Sequence, residues 1–528
     1  MEKVKSNAFL LFWSLLGLAA IIIIWFLPWR FQVNDDVIMM WLVSGAYTGE
    51  PEPYAVFIHP ILSWAFSKLY IFYPGFNWYG ATWFSSIFLS YILLLNRIVS
   101  TRFSLQWKCF FSLLILIISL HFSYFPQFTL VAGFLGLSGL MTLFYSSYKK
   151  FDVNLYLGIM AITLSLVIRV ESFVLVGLGF FLGELIFSQK ATISSYRTRF
   201  LLVMLIFICC IASKGIYEKN SSYADYLDFN QFRSAVIDHP AFYDLERNNG
   251  FEKEGEWFYF SRWMFEEEGI TISDLKKKTS ELNQSYWSID HFLNSVERLW
   301  LIQRTEMFKS MLILLLIFLL FCSKPNAVKL ILYASVWSIF FLFFNTYFLI
   351  LGRVIFLFFL VLISLVINYG HYKKQNFLAY GLTASILIFF FIHTTNFLKE
   401  AEGRRKMNLE LAEMQALLPV GVPLFLEGFF EYNLPSVYNW NNPIPMLTYG
   451  WISRSPFQEK AFQRFGFDKL SQLEKYYFIG IKIPEPLVFP EYIESLAGRF
   501  DQKELSNSSS FVLFEFTKQT MVQNSSVK

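Results

Sequence analysis

VNLYLGIMAITLSLVIRVESFVLVGLGFFLGELIF, residues 153–187, is apolar almost throughout and carries Arg169-Val170-Glu171 at its centre. One helix of that length would reach roughly 50 Å, well beyond a hydrocarbon core of about 30 Å. Two charges at its midpoint would also lie in lipid, where ionised side chains are costly. The stretch therefore predicts two short membrane helices, 153–168 and 171–187, that turn at the charges.

Apolar runs of spanning length recur on both sides of this pair, near 8–28, 78–96, 108–123, 128–147, 200–215, 307–322, 329–346, 350–368 and 377–396. With the pair they make about eleven transmembrane helices. Composition agrees with that class: 55% of the 528 residues are hydrophobic and 16% are charged, against about a quarter charged in a soluble domain. Mean hydropathy is +0.44. The net charge of +4 is too small to imply nucleic acid as a partner. The N-terminal stretch Ala8–Leu27 follows Lys3 and Lys5 like a secretory signal. It is longer than a signal's apolar region of about 7–15 residues, and Pro28-Trp29-Arg30 offers no cleavage site. It is expected to stay as the first membrane helix.

Charge placement tests the count. With the N-terminus cytoplasmic, alternate connections carry Arg97, Arg102 and Lys108, then Lys149 and Lys150, then Lys190, Arg197 and Arg199, then Lys324 and Lys329, and finally Lys373 and Lys374. Basic residues on every second connection are the positive-inside pattern, and merging 153–187 into one helix would destroy it. The four cysteines show no metal or disulfide spacing: Cys109 and Cys322 fall at membrane ends, and Cys209–Cys210 lie within an apolar helix.

The opposite face collects the remaining polarity. It holds a first loop at 29–77, a long loop at 216–306 and a tail from 397 onward. The long loop mixes Trp257, Phe258, Tyr259, Phe260 and Trp263 with charge, and Ser273-Asp274-Leu275 is expected to cap a helix through the lysines that follow. Interfacial helices and a substrate gate are both open readings of it. The tail reads as a small extracytoplasmic α/β domain, 397–528. Its strands are expected at Val422–Glu427, Tyr476–Ile483 and Ser510–Phe516, and its helices at Pro456–Phe465 and Lys469–Lys475. The preceding 1–396 form the transmembrane domain with its two outer loops.

Just after the first span comes Phe31-Gln32-Val33-Asn34-Asp35-Asp36. Adjacent carboxylates raise each other's pKa unless a cation or hydrogen bond offsets the repulsion, a property useful in a general base. An acidic turn in solvent would read the same way in isolation. Taken with the many spans, the long outer loop and the outer tail, the pair resembles the GT-C superfamily of membrane glycosyltransferases. These use polyprenyl-phosphate sugars and include the protein O-mannosyltransferases and the aminoarabinose–lipid A transferases. The motif is sharpest over residues 33–60, ending at His59-Pro60, with Arg169-Val170-Glu171 and Gly352-Arg353 as further polar positions. Asp36 departs from the Asp-Glu pair of the O-mannosyltransferases, which leaves the acceptor type open.

The resemblance implies a GT-C-like helical fold and an inverting transfer from a lipid-linked sugar to an extracytoplasmic acceptor, at a membrane that would be the bacterial plasma membrane. It implies Asp35 as base and Asp36 as its aid, with Arg353, Arg169, Glu171 and His59 in substrate binding. No cofactor is firmly implied. A divalent cation shared by Asp35, Asp36 and Glu171 is one arrangement that the residues allow, and relatives of both kinds leave metal unassigned. Three other classes stay open at this point: a polysaccharide polymerase or ligase, a transporter of envelope glycan precursors and a non-catalytic assembly factor.

Overall fold

The computed structural model describes residues 2–145, 153–187, 197–248, 250–252, 255–267, 269–304, 324–369, 376–419, 421–427, 438, 440–482 and 487–519. Within them the chain is mostly helical. Among the described residues nine helices are long and apolar enough to cross a membrane, which marks a polytopic membrane protein, and a small sheet domain lies near the C-terminus. Helix α1 is Glu2–Trp25, and α2 (Asn34–Ser44) and α3 (Pro60–Phe72) occupy the first loop. Then come α4 (Trp78–Ser100), α5 (Leu105–Tyr124), α6 (Phe128–Tyr145), α7 (Val153–Ile168), α8 (Val170–Phe187) and α9 (Arg197–Asn220). The long loop folds into α10 (Ala224–Ile237), α11 (Pro240–Arg247), α12 (Glu256–Ser261), α13 (Ile272–Asn283) and α14 (Ile289–Gln303). Three further helices follow: α15 (Lys324–Tyr347), α16 (Gly352–Tyr369) and α17 (Asn376–Gln415). The span expected at 307–322 lies outside the described residues.

The break at Arg169 is a reversal, as two short helices require. Along α6, a Cβ on Gly136 would touch both Ser165 and Phe173. About two turns further on, Leu143 meets Gly158, and Phe144 packs on Phe180 with ring centroids 5.6 Å apart. Helix α7 therefore runs back along α6 while α8 runs with it. Close approach needs small residues: a Cβ on Gly139 would lie 3.0 Å from the Gly158 carbonyl oxygen. The turn at Arg169 faces the end of the bundle that carries the sheet domain. At the opposite end Glu184 is buried and accepts hydrogen bonds from Tyr369 and Tyr145.

Helix α17 does not stop at the expected boundary of 396. It continues to Gln415 and leads into the sheet. The sheet order is β2-β1-β3-β5-β4, from β1 (Leu424–Glu427), β2 (Met446–Leu447), β3 (Lys475–Ile481), β4 (Phe500–Asn507) and β5 (Phe511–Lys518). Strand β1 is parallel to β2 and β3, and β5 is antiparallel to β3 and β4. Helix α18 (Pro456–Gln463) is as expected, but the helix expected at Lys469–Lys475 is a 3-10 turn at Leu470–Gln472. The aromatic run beginning at Lys475 pairs as β3 instead. Helix α19 (Phe489–Ala497) follows β3. In the long loop, Thr271 rather than Ser273 caps α13. Its side chain accepts from the Asp274 N–H while Asp274 accepts from the Thr271 N–H, a reciprocal cap that the earlier residue alone is placed to make.

Because β5 sits between β3 and β4, ending the chain at Ser509 strips β3 of a partner along its whole length. That truncation is expected to unfold the sheet domain rather than trim it. Hydrogen exchange at Tyr476–Ile479, slow in the full chain, becomes fast in the truncated one; unchanged protection there would contradict this topology.

The domain is bonded onto the first loop. Ile444 donates to the Ala46 carbonyl at 3.0 Å, Tyr47 Oη donates to Gln458 at 2.6 Å, and Lys460 pairs with the buried Glu52 at 2.7 Å. Gly45 makes this loop possible. It closes α2 at φ 76°, and a Cβ there would lie 2.6 Å from the backbone of Glu50 and Pro51. The long loop is tied in as well. Tyr226 donates to the Trp451 carbonyl at 2.6 Å, and Arg454 donates to the carbonyls of Phe265 and Ile270 at 2.6 and 2.9 Å.

Candidate functional site

The chain leaves α1 through tight turns at Phe26, Leu27 and Trp29 and is then pinned to the α5–α6 turn, where the backbone N–H groups of Arg30 and Gln32 donate to the carbonyls of Tyr124 and Pro126. Helix α2 then starts at Asn34, with both carboxylates in its first turn, where the helix dipole favours negative charge. Neighbours on a helix diverge by about 100°, so the two cannot face the same way. Asp35 points into a cavity and Asp36 into the core.

Asp36 is 0% exposed. Its Oδ1 accepts from Tyr79 Oη at 2.9 Å and from Trp83 Nε1 at 3.0 Å, and both oxygens lie 3.3 Å from the Phe128 N–H that opens α6. Burial nonetheless pushes its carboxyl up to about 7. The residue locks α2, α4 and α6 together. Asp36→Ala leaves three buried donors without an acceptor, at about 1–3 kcal/mol each. It is expected to lower Tm by about 5 °C or more, while Asp36→Asn, which keeps Oδ1, stays close to the wild type. Equal melting of Asp36→Ala and wild type would contradict a structural role.

The cavity has a volume of about 840 Å³ and is bounded by α2, the Arg169 turn, α10, the start of α16 and the segment after β2. Pockets for small ligands fall in this size range. Asp35, Arg169 and Arg353 share it, although 134 and 318 residues of chain separate Arg169 and Arg353 from Asp35 (169 − 35 and 353 − 35). Burial raises the Asp35 carboxyl above the usual carboxylate range, against the downward pull of Arg353, then Arg169, and more weakly Arg233. Arg169 pairs with the exposed Glu171 at 2.9 Å and lies over the rings of Phe128 and Phe57 at 5.3 and 5.6 Å. Arg353 makes no ion pair within 4 Å among the described residues, so its fork is available to the cavity.

The long loop adds charges that the sequence reading did not select: Arg233, Asp238 and Arg262. Arg233 is 4% exposed. Its Nε donates to Asn230 at 2.9 Å and its guanidinium lies 4.9 Å from the Trp263 ring, but among the described residues its Nη1 has no acceptor. The indole N–H of Trp41 is also buried without an acceptor among the described residues, and that of Trp451 is directed at Asp35, whose carboxylate form it favours. Buried donors are normally satisfied. Arg233 Nη1 and Trp41 Nε1 thus border the cavity as donors that oxygen atoms, of water or of a ligand, can satisfy.

Arg233 left one trace in the sequence. Tyr226, Phe229, Val236 and Ile237 form the buried stripe of α10, and Arg233 occupies the apolar position between them. A charge on the buried face of an amphipathic helix is the signal that could have singled it out.

The remaining expected residues lie apart from the cavity lining. His59 caps α3: its Nδ1 accepts from the Ile61 N–H at 3.2 Å, and its Nε2 lies 3.2 Å from the Cys210 carbonyl and 3.1 Å from Ser213 Oγ. His239-Pro240 repeats the arrangement at α11, where His239 Nδ1 accepts from the Ala241 N–H at 3.1 Å. The His-Pro pair is thus a helix-starting device in this chain, a cap followed by proline in the first turn. The two carboxylates named with Asp35 as cation ligands are turned to other partners, Asp36 to Tyr79 and Trp83 and Glu171 to Arg169. Among the described residues no group of three or more His, Cys, Asp or Glu side chains converges.

No protein-family model, no curated protein and no solved structure matches this chain.

Proposed function

We propose that the chain is a GT-C-like integral membrane glycosyltransferase, moving a sugar from a polyprenyl-phosphate donor to an extracytoplasmic hydroxyl acceptor. One observation carries the reading: Asp35, at the start of α2, faces a cavity where Arg353, Arg169 and Arg233 surround it, with Asp238 as the second carboxylate of the lining, at one end of a membrane-length helix bundle. A donor held in the membrane by its lipid would present its phosphate at that depth. On this reading the sheet-domain end is extracytoplasmic, the N-terminus is cytoplasmic and eleven helices cross the bacterial plasma membrane.

The chemistry then divides among named groups. Asp35 takes the proton from the acceptor hydroxyl as its oxygen bonds to the anomeric carbon. The bond from that carbon to the phosphate oxygen breaks on the opposite face, with inversion, and the electron pair leaves with the phosphate. Arginines stabilise the charge that develops there. The N–H of Trp41 would be satisfied by an oxygen of the sugar or acceptor, while that of Trp451 orients Asp35.

The test uses purified protein in nanodiscs, a panel of polyprenyl-phosphate sugars labelled in the sugar, and an envelope extract as acceptor source. Label is expected to move from the lipid to an acceptor fraction. Retention of all label on every hexose and pentose donor by folded protein would overturn the reading.

A further inference from the structure

Helix α14 buries its polar residues and exposes its apolar ones. His291, Ser295 and Arg298 are 4%, 0% and 8% exposed, while Ile289, Phe292, Leu293, Val296 and Trp300 are 76%, 45%, 57%, 40% and 63% exposed. A helix on a water-facing surface does the reverse. Each of the buried groups bonds to protein. His291 Nε2 lies 2.7 Å from the Thr346 carbonyl, Asn345 Nδ2 donates to the Ser295 carbonyl at 2.8 Å, and Arg298 pairs with Asp244 at 2.9 Å.

Asn345 and Thr346 end the membrane-length segment Asn326–Tyr347. Helix α14 is therefore clamped across the end of a span, at the depth where hydrocarbon gives way to headgroups. At about 100° per residue, Asp290, Asn294 and Glu297, with Leu301 in the last turn, fall on a third sector, between the apolar stripe and the buried face. Asp290 and Glu297 are exposed. Three sectors, one facing protein, one apolar and one acidic, describe a helix lying flat in an interface. Trp300, and Trp287 just before the helix at 88% exposed, add the side chains that favour headgroup depth.

We infer that the apolar face of α14 docks into the lipid leaflet on the sheet-domain side, with Asp290 and Glu297 turned to water. The inference is independent of the transfer reading. It has a consequence for the cavity all the same. The Arg298–Asp244 pair ties α14 to α11, which begins two residues after the cavity-lining Asp238, so the leaflet holds that wall in place.

Nitroxide labels attached to Phe292→Cys, Val296→Cys, Trp300→Cys, Asp290→Cys and Glu297→Cys, each in a chain whose native cysteines are replaced by serine, test this in nanodiscs. Collision with oxygen is expected to exceed collision with a water-soluble nickel chelate severalfold at Phe292, Val296 and Trp300. The order reverses at Asp290 and Glu297. Nickel chelate dominating at all five positions would place the stripe in water. Exclusion of both reagents from the stripe would mean that protein, such as a second copy, covers it. Either result overturns the assignment.

Discussion

Asp35→Asn is expected to lower sugar transfer by about 10²–10⁴-fold, the usual worth of a positioned base, while leaving Tm and membrane insertion at wild-type values. The separation follows from the burial of the two neighbours. Asp36 holds three donors in the core, whereas Asp35 holds none of them and faces the cavity. Measuring transfer and Tm on the same preparations separates the roles: Asp35→Asn loses rate without melting, and Asp36→Ala melts early. The pH profile carries the same sign. A base works ionised, so transfer rises with pH. With the Asp35 carboxyl held above its usual range by burial, half-maximal rate falls above about pH 4, the ordinary carboxylate value. Near wild-type transfer by the Asn variant would remove Asp35 from the chemistry.

Arg353→Ala is expected to raise the donor KM by about 10–100-fold, the loss of hydrogen bonds to a charged group, with a much smaller effect on the acceptor KM. Among the charges near Asp35 it acts most strongly, and no ion pair within 4 Å among the described residues competes for it. Arg169 is already engaged with Glu171, so its removal is expected to cost less. Arg353→Lys distinguishes charge from shape. Lysine keeps the charge and loses the planar fork that binds two phosphate oxygens, so its donor KM lies between those of alanine and wild type. A donor KM unchanged in both variants leaves Arg353 as an anchor at the headgroup boundary.

Hydrophobic run length and charge made the bundle legible. Arg169-Val170-Glu171 marked a reversal that the packing of Ser165 and Phe173 around Gly136 reproduces, because charge in lipid leaves the chain few options. Strands β1, β3 and β5 announced themselves by aromatic and β-branched residues. Strand β4, Phe-Asp-Gln-Lys-Glu-Leu-Ser-Asn, did not, since an edge strand with mostly exposed side chains has no apolar alternation to display. Strand β2 is two residues long and exists only through its pairing with β1.

The cavity was half legible. Asp35, Arg169 and Arg353 each interrupt an apolar context, and that local anomaly is readable. Asp238 sits in a polar loop where charge is ordinary, and Arg233 shows only as a charge on the apolar face of α10; tertiary folding brings both near Asp35. His59 shows a structural use that its residue type does not announce. A histidine near an acidic pair looks functional, but the proline after it fixes a helix start, and the ring is used as its cap.

The most direct test is a cryo-EM map of the protein in nanodiscs saturated with a non-transferable polyprenyl-phosphate sugar analogue. The account predicts a phosphate within hydrogen-bond reach of the Arg353 guanidinium and an anomeric carbon facing Asp35. A cavity without ligand density at saturation, or a phosphate bound away from Arg353 and Asp35, would contradict it.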